Sequence, residues 1–291
     1  MWFFFALTAA WLQASVRLIN QYHQLPGIRL VFASKIIKTL CVLPLLLFIE
    51  WPQNPWFYLL LCASAPLAVY QDKSILDFTA RYGAGTVTRI EPLSVPVVFV
   101  LWMVLHPALL VAYAQTPLWF AAICGCIVFA VICALQMRKS DMSAGALRAM
   151  IPLLLCISAL NMVSKSAVDL APDSNGIMAY VLIQSALMVA ISGFFNRDLV
   201  RQPMSLLSDK AILKVGFILS MLTICIMVLR LTGFMFAANP AYVTAVMLTS
   251  PFWVILYYKI VKHEEKGDIR AGAGIVLSAI VLTAVIALSG H

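Results

Sequence analysis

The sequence predicts an all-α integral membrane protein whose ten transmembrane helices form two inverted five-helix repeats. Three observations support this fold class: the composition, the lengths of the apolar segments and an internal echo. The chain of 291 residues is 63% hydrophobic and only 11% charged, with a mean hydropathy of +0.97. A water-soluble core of this size cannot bury so much apolar surface, so lipid must solvate it.

Ten apolar segments can be drawn, each close to the ~20 residues that cross ~30 Å of hydrocarbon as a helix. Barrel strands are excluded because they alternate apolar and polar residues and are about half as long. Neither a basic region nor a cleavage site accompanies the first segment, which favours a retained helix over a signal peptide. The predicted spans are residues 1–19, 28–49, 56–75, 86–105, 118–136, 147–168, 177–195, 212–236, 241–260 and 272–288.

Two stretches of the sequence resemble each other about half a chain apart. Residues 87–94 (VTRIEPLS), closed by Pro96, are echoed by residues 243–250 (VTAVMLTS), closed by Pro251. Such self-similarity is the signature of a duplicated membrane unit. The repeat therefore favours a function in moving a solute across a bilayer.

A second echo relates residues 11–33 to residues 159–182, with Lys165 in the place of Arg17. Both echoes have a similar offset, so they are consistent with one duplication. The two predicted repeats are residues 1–140 and 141–291.

The positive charges predict the orientation. Of the 20 Lys and Arg residues, all except Lys165 and Arg230 belong to, or lie nearest, every second connection, starting with that between spans one and two. By the positive-inside rule these connections are cytoplasmic and both termini lie outside. The net charge of +8 then reflects topology and attraction to anionic lipid heads, and not nucleic-acid binding.

The same charges indicate that the repeats are inverted. The basic connections are the first and third within the first half, but the second and fourth within the second half. Because five is an odd number, two five-span repeats related by an in-plane two-fold axis lie upside down to one another, as this reversal requires.

The residues also resemble a known family. Ten spans in two inverted repeats, with a basic residue closing the first span of each, are similar to the drug/metabolite transporter superfamily, in its EamA-like branch. The most similar stretch reads in order as NPAYVTA from Asn239, Ser250-Pro251, the acidic turn HEEKGD at 263–268 and Gly272-x-Gly274.

This resemblance implies a secondary transporter of small organic metabolites with a central cavity between the repeats. Spans one, three, four, six, eight and nine would line that cavity. Two features depart from the family. The first repeat offers only His106-Pro107 in place of the acidic turn, and the family's usual topology places both termini in the cytoplasm.

Prolines mark the fourth and ninth spans. Pro92, Pro96 and Pro251 each remove a backbone hydrogen bond within an apolar segment. Broken helices at matching positions of two repeats indicate a cavity or a hinge, although prolines are also common in ordinary membrane helices. The three prolines are therefore predicted hinge residues.

Glu91 is the deepest acid in an apolar segment, and Arg89 lies two residues before it. One interpretation is a structural ion pair with Arg89, Lys35 or Lys38. The other is a pathway carboxylate that binds a cation or takes up a proton, which makes a proton or another ion a coupling partner.

Lys35 and Lys38 share one face of the second span because they are three residues apart. Either their long side chains reach back to the interface, or they face the cavity and attract an anion. Asp72, near the same end of the third span, is their expected partner.

Lys165 and Arg230 are retained against the topological preference, so they are predicted at the outer mouth of a pathway for carboxylates or phosphates. The field of such a pathway is net positive and favours an anionic or zwitterionic, amino-acid-like substrate over a lipophilic cation. Among the neutral groups, Asn161 and Gln184 are the best candidates for substrate contact, because an amide both donates and accepts.

Other classes of function are less well supported. Sequences of the Gly-x-Ser-x-Gly, His-Glu-x-x-His and Walker types are absent, so an enzyme is not expected. The seven cysteines lie in apolar runs without a paired ligand spacing, so neither a metal nor another cofactor is predicted. A membrane-embedded transferase and a non-transporting scaffold stay as alternatives. The expected setting is the lipid bilayer of a bacterial inner membrane, as a monomer or homodimer.

The charge distribution makes a direct prediction about topology. A reporter fused after His291 that is active only outside the cytoplasm should be active, and a reporter that works only in the cytoplasm should be silent. The opposite pattern would restore the usual family orientation and contradict the use of the basic residues as a topology signal.

Overall fold

The computed structural model describes residues 1–23, 27–82, 91–136, 144–195, 209–261 and 269–289. All regular elements in these ranges are helical, and each predicted apolar segment overlaps at least one helix. Short 3-10 turns at Leu43–Leu47 and Glu91–Leu93 follow α2 and precede α4. The helices are α1 (Trp2–His23), α2 (Gly27–Val42), α3 (Pro55–Tyr82), α4 (Ser94–Leu105), α5 (Pro107–Gln115), α6 (Pro117–Gln136), α7 (Ala144–Leu170), α8 (Ser174–Phe195), α9 (Lys210–Phe236), α10 (Pro240–Met247), α11 (Ser250–Ile260) and α12 (Ile269–Ser289).

Within the described ranges, 8 helical stretches are long and apolar enough to cross a membrane. They lie in α1, α2 with its following turn, α6, α7, α8, α9, α10 with α11, and α12. The number becomes 9 if α4 and α5, which bend by 102° at their junction, form one span. α3 has the length of a span but carries Gln71, Asp72 and Lys73 in its second half. This set of long apolar helices is compatible with an integral membrane protein, as the composition predicts.

The two halves of the chain are interleaved. α1 packs along α9, and α3 packs along α7. α2 packs on α9 and α3 packs on α8, while α1 meets α10 and α4 meets α7. Three more interfaces join α6 to α12, α2 to α8 and α4 to α10. Each of these interfaces joins a helix before residue 140 to a helix after it, so neither half forms a separate core.

Small residues allow close approach at several of these interfaces. The Ser220 hydroxyl on α9 donates to the carbonyl oxygen of Ser34 on α2 at 2.7 Å. On α12, a methyl group added at Gly272 or Gly274 would lie 2.7 Å from the nearest atom of Phe252 or Cys133. The glycine pair of the last span is therefore a packing feature.

A buried aromatic cluster closes the end of the bundle where α1 and α10 begin. The hydroxyls of Tyr113 on α5 and Tyr242 on α10 share a hydrogen bond. Ring centroids of Trp2 and Phe99 lie 6.0 and 6.3 Å from that of Tyr242. This is the outer end on the charge-based orientation, and it is the end that also holds the α7–α8 connection.

The start of α8 makes a prediction about stability. A methyl group at Gly176 would lie 2.3 Å from the carbonyl oxygen of Ala171, so Gly176→Ala must shift the backbone. We expect the free energy of unfolding to fall by about 1–3 kcal/mol, which is typical of overpacking. The loss should be seen as a lower thermal midpoint in detergent. Gly125→Ala is the matched control, because nothing lies within 4 Å of the added methyl group. It should be neutral or stabilising, since alanine favours a helix by about 1 kcal/mol over glycine. Equal behaviour of the two variants would contradict the tight contact.

Candidate functional site

The centre of the candidate site is Arg230 on α9. Its guanidinium donates a hydrogen bond to the side-chain oxygen of Asn161 on α7. The guanidinium carbon also lies 5.2 Å from the ring centroid of Phe234, one turn further along α9. Asn161 is buried, with 1% of its surface exposed. The structure thus joins two predicted site residues that the sequence analysis placed separately.

The position of Arg230 makes its charge costly. At ~1.5 Å per residue, it lies about 9 Å from the end of α9 at Phe236. Among the six carboxylates whose side chains the structure describes, none forms an ion pair with Arg230. Its partners there are a neutral amide and an aromatic face, which compensate a partly buried cation only in part.

Neutral polar side chains from three helices lie beside this arginine. The Tyr180 hydroxyl on α8 is 2.7 Å from the Ser164 hydroxyl on α7, and it is within electrostatic range of Arg230. Gln184, one turn along α8, donates to the Ser64 hydroxyl on α3 at 3.4 Å. All four side chains are buried. With Asn161 and Arg230 they form what is called below the arginine cluster.

Sequence reasoning identified only part of the arginine cluster. Gln184 was predicted as a contact residue, whereas Tyr180, Ser164 and Ser64 were not. Serines and tyrosines are common in membrane helices as helix–helix contacts, so the sequence holds no signal that separates these three from the rest. Their shared location depends on how α3, α7 and α8 pack.

Lys165, the other cation predicted at the outer mouth, has a carboxylate partner. Its ammonium lies 2.5 Å from Asp169 on the next turn of α7, and 6% of the Lys165 side chain is exposed against 41% of Asp169. The four-residue spacing of this pair could have been found in the sequence. Because Asp169 neutralises it, Lys165 adds little to the field at this end.

Acidic groups also lie at the end that the charge-based orientation places outside. A cleft of about 690 Å³ lies between the α2–α3 and α7–α8 connections, and Glu50 and Asp173 are among its lining residues. With Asp169, these acids offset the two cations that were expected to make the outer mouth positive. The structure therefore differs from the sequence-based expectation of a positive field at both ends.

The expected pairing of Lys35 is confirmed. Its ammonium lies 2.9 Å from the Asp72 carboxylate on α3, and it also donates to the Ser192 hydroxyl on α8 at 3.4 Å. Only 11% of the Lys35 side chain is exposed, against 39% of Asp72. The side chain is therefore directed toward α3 and α8 rather than to the surface.

Lys38 contacts α9 one turn before Arg230. Its ammonium lies 3.0 Å from the thioether sulfur of Met227, which is a weak acceptor. No carboxylate of the described side chains lies within ion-pair distance of it. Met227 and Arg230 are three residues apart and share a face of α9. Lys38 thus extends the basic region from the arginine cluster toward the inner end.

The predicted hinge residues coincide with helix interruptions. Pro92 lies in the 3-10 turn Glu91–Leu93 before α4, and Pro96 lies in the first turn of α4. Pro251 lies in the first turn of α11, after the break that follows Met247. Their role as hinges stays a prediction.

A new helix starts at the same aligned serine in each half: α4 begins at Ser94 and α11 begins at Ser250. Beside the second break, the hydroxyls of Thr249 and Ser250 are buried without a hydrogen-bond partner among the described residues. Of the other predicted site residues, Arg89 and the side chain of Glu91 lie outside the described part of the chain.

No known family model matches the chain, and no curated protein matches its sequence. The chemistry of the site therefore rests on its own geometry. It combines the partly compensated guanidinium of Arg230 with several neutral hydrogen-bond donors and acceptors. A second cation, Lys38, contacts α9 one turn before Arg230.

The Lys35–Asp72 pair predicts an asymmetric response to mutation. Asp72→Asn leaves the ammonium of Lys35 buried without its counter-ion, whereas Lys35→Met leaves the more exposed Asp72 in contact with solvent. Asp72→Asn should therefore be less stable by about 1–3 kcal/mol, the cost of an unsatisfied buried polar group. Thermal midpoints of the two variants in one detergent give the comparison. Equal losses, or a larger loss for Lys35→Met, would contradict the buried pair.

Proposed function

We propose that this protein is a secondary transporter that moves a small organic metabolite across a membrane by alternating access. The substrate is anionic or zwitterionic and resembles an amino acid in size. The observation that carries the proposal is the arginine cluster, a buried polar site contributed by α3, α7, α8 and α9 within a bundle of apolar helices.

The energetic argument favours transport over a purely structural role. An arginine at the centre of a membrane helix costs about 2.5–3.5 kcal/mol on the insertion scale, which is an upper bound for Arg230 in the second half of α9. A scaffold would gain more stability from an apolar side chain at position 230. A transporter uses the same charge to bind substrate, and the cost is then offset whenever an anion is present.

We further propose ten spans arranged as two inverted five-helix repeats. Exchange of the halves pairs α1 with α7, α2 with α8, α3 with α9, α4 with α10–α11, and α6 with α12. Under this exchange the α1–α9 interface becomes α7–α3, α2–α9 becomes α8–α3, and α1–α10 becomes α7–α4. The α6–α12, α2–α8 and α4–α10 interfaces map onto themselves. This pattern supports a two-fold relation between the halves.

Two other features support the same arrangement. The aligned serines Ser94 and Ser250 both begin a helix after an interruption. The basic connections change their order between the halves, which supports inversion rather than a parallel repeat. On this arrangement the broken fourth and ninth spans lie side by side, as α4 and α10 do.

Alternating access then uses the contacts that differ between the two ends. The Tyr113–Tyr242 hydrogen bond and the rings around it hold α5 and α10 together at the outer end. Bending at the interruptions before Ser94 and Ser250 would separate α4 from α10 and open that end. Lys38 and Arg230 lie on the route by which an anion from the inner end would reach the cluster.

Reconstitution into proteoliposomes tests the proposal. Vesicles loaded with an unlabelled amino acid or hydroxy acid should accumulate the same radiolabelled compound by counterflow, above protein-free vesicles and above vesicles with heat-denatured protein. A dependence of net uptake on a pH or sodium gradient would identify the coupling ion. Product formation from a lipid-linked donor, without counterflow, would instead support a membrane-embedded transferase, and the absence of both would support a scaffold.

A further inference from the structure

The arginine cluster also favours one of the two proposed kinds of substrate, the anion over the zwitterion. We propose that Arg230 and Asn161 bind the carboxylate of a hydroxylated organic acid, and that Tyr180, Ser164 and Gln184 recognise a hydroxyl group next to that carboxylate. The inference rests on the proposed transport function for its physiological meaning, but the binding site can be tested without transport. It narrows the substrate to an anion and excludes an amino acid zwitterion as the preferred ligand.

The guanidinium of Arg230 retains the capacity to bind a carboxylate. It has five N–H donors in a planar fork, and the amide oxygen of Asn161 accepts from one terminal nitrogen. The Phe234 ring, 5.2 Å from the guanidinium carbon, covers one face and restricts its orientation. A carboxylate can therefore use a remaining N–H edge, where two parallel hydrogen bonds are the favoured geometry.

The exposure pattern of α9 indicates space for a ligand. From Met221 to Arg230 no residue is buried: nine are partly exposed and Cys225 is exposed. Yet this helix packs against α1, α2, α7 and α8. A helix that only separates a dry core from lipid would bury one face in each turn. The inner face of α9 before Arg230 therefore borders open space, and Arg230 itself is partly exposed.

The neutral groups fit a hydroxyl better than an ammonium. The hydroxyls of Tyr180 and Ser164 and the amide of Gln184 can each donate as well as accept, which matches a substrate hydroxyl. An ammonium donates only and needs a nearby negative charge. The described cations near the cluster, Arg230 and Lys38, would repel it.

Two carboxylates on the helices that form the cluster are already engaged in ion pairs. Asp72 pairs with Lys35, and Asp169 pairs with Lys165. Both acids are also the more exposed members of their pairs. An amino group beside the bound carboxylate would therefore lose its hydration without gaining an ionic partner from these residues.

Binding of a matched three-carbon series to the purified full-length protein tests the inference. Lactate carries a hydroxyl, alanine carries an ammonium, and propionate carries neither. Ligand-induced shifts of the thermal midpoint in detergent give dissociation constants, because a ligand that binds only the folded state stabilises it. We expect lactate to bind at least tenfold more tightly than either propionate or alanine. Tighter binding of alanine would overturn the inference.

Two variants connect these affinities to the cluster. Arg230→Met should weaken lactate binding at least tenfold. The lactate affinity of Arg230→Lys should lie between that of Arg230→Met and that of the unmodified protein, because a lysine keeps the charge but loses the planar fork of N–H donors. Lys214→Met is the matched control: Lys214 is exposed and lies on the same helix, so the affinity should not change. Unchanged lactate binding in Arg230→Met would overturn the assignment of the carboxylate site.

Tyr180→Phe tests the hydroxyl subsite and is a milder change. It should weaken lactate binding severalfold and leave propionate binding unchanged, because propionate has no hydroxyl to lose a partner. Equal weakening of the binding of both ligands would mean a structural effect and overturn the subsite.

If Arg230→Met does not fold, recovery of folding by adding Glu91→Gln would identify Glu91 as the counter-ion of Arg230 and overturn the site. If Glu91→Gln does not restore folding, the lactate affinities of Arg230→Lys and Tyr180→Phe decide whether the cluster binds the ligand.

Failure of the inference and failure of the transport proposal have different signatures. Arginine-dependent lactate binding without counterflow would leave the binding site in place and contradict transport. Counterflow of lactate with the same KM in Arg230→Met and in the unmodified protein would support transport and overturn the site.

Discussion

The constraint on which this structure depends is the cost of keeping a guanidinium inside an apolar helical bundle. Arg230 lies in the second half of α9, and among the described residues its compensation comes from the Asn161 amide and the Phe234 ring. Neutral dipoles recover only part of the solvation that a cation loses. The packing of α7, α8 and α3 around α9 is therefore also an arrangement of dipoles around one charge.

The paired interfaces explain how such a site can form between two halves that resemble each other only weakly. α9 packs on α1 and α2, and α3 packs on α7 and α8, in corresponding ways. The charged side chains of the two halves have different partners, however. Lys35 in the first half has a carboxylate partner on α3, whereas Arg230 in the second half has an amide partner on α7. On the proposed two-fold arrangement, such divergence produces an asymmetric site.

Much of the fold could be predicted because it depends on the length and hydropathy of each segment. The proline-containing fourth and ninth spans were identified from sequence, and interruptions occur there at Ser94 and Ser250. The Lys35–Asp72 pair was also predicted, because both residues lie near the same end of consecutive spans. These features follow from local sequence and from the alternation of helix direction.

The arginine cluster could not be predicted in the same way because its members meet through packing. Arg230 and Asn161 lie on helices that are far apart in sequence, and nothing in either segment specifies the rotation of its helix about its own axis. The neutral residues Ser64, Ser164 and Tyr180 had still less signal, since polar groups of these types occur throughout membrane helices. Asp169 was different: its four-residue spacing from Lys165 was visible in the sequence and would have corrected the expected charge of the outer mouth.

The charge asymmetry between the two ends has a consequence for how an anion would be handled. Toward the inner end, Lys38 continues the basic region from Arg230, whereas Glu50, Asp169 and Asp173 lie at or near the outer end. An anion at the cluster is attracted along the inner route and repelled by the outer acids. On the proposed mechanism and the charge-based orientation, access from the inner side would therefore capture the anion more readily, while exposure to the outer side would favour its release. Gradients would still set the direction of net transport, but on the proposed mechanism this distribution of charge makes the affinity of the site for an anion unequal on the two sides of the membrane.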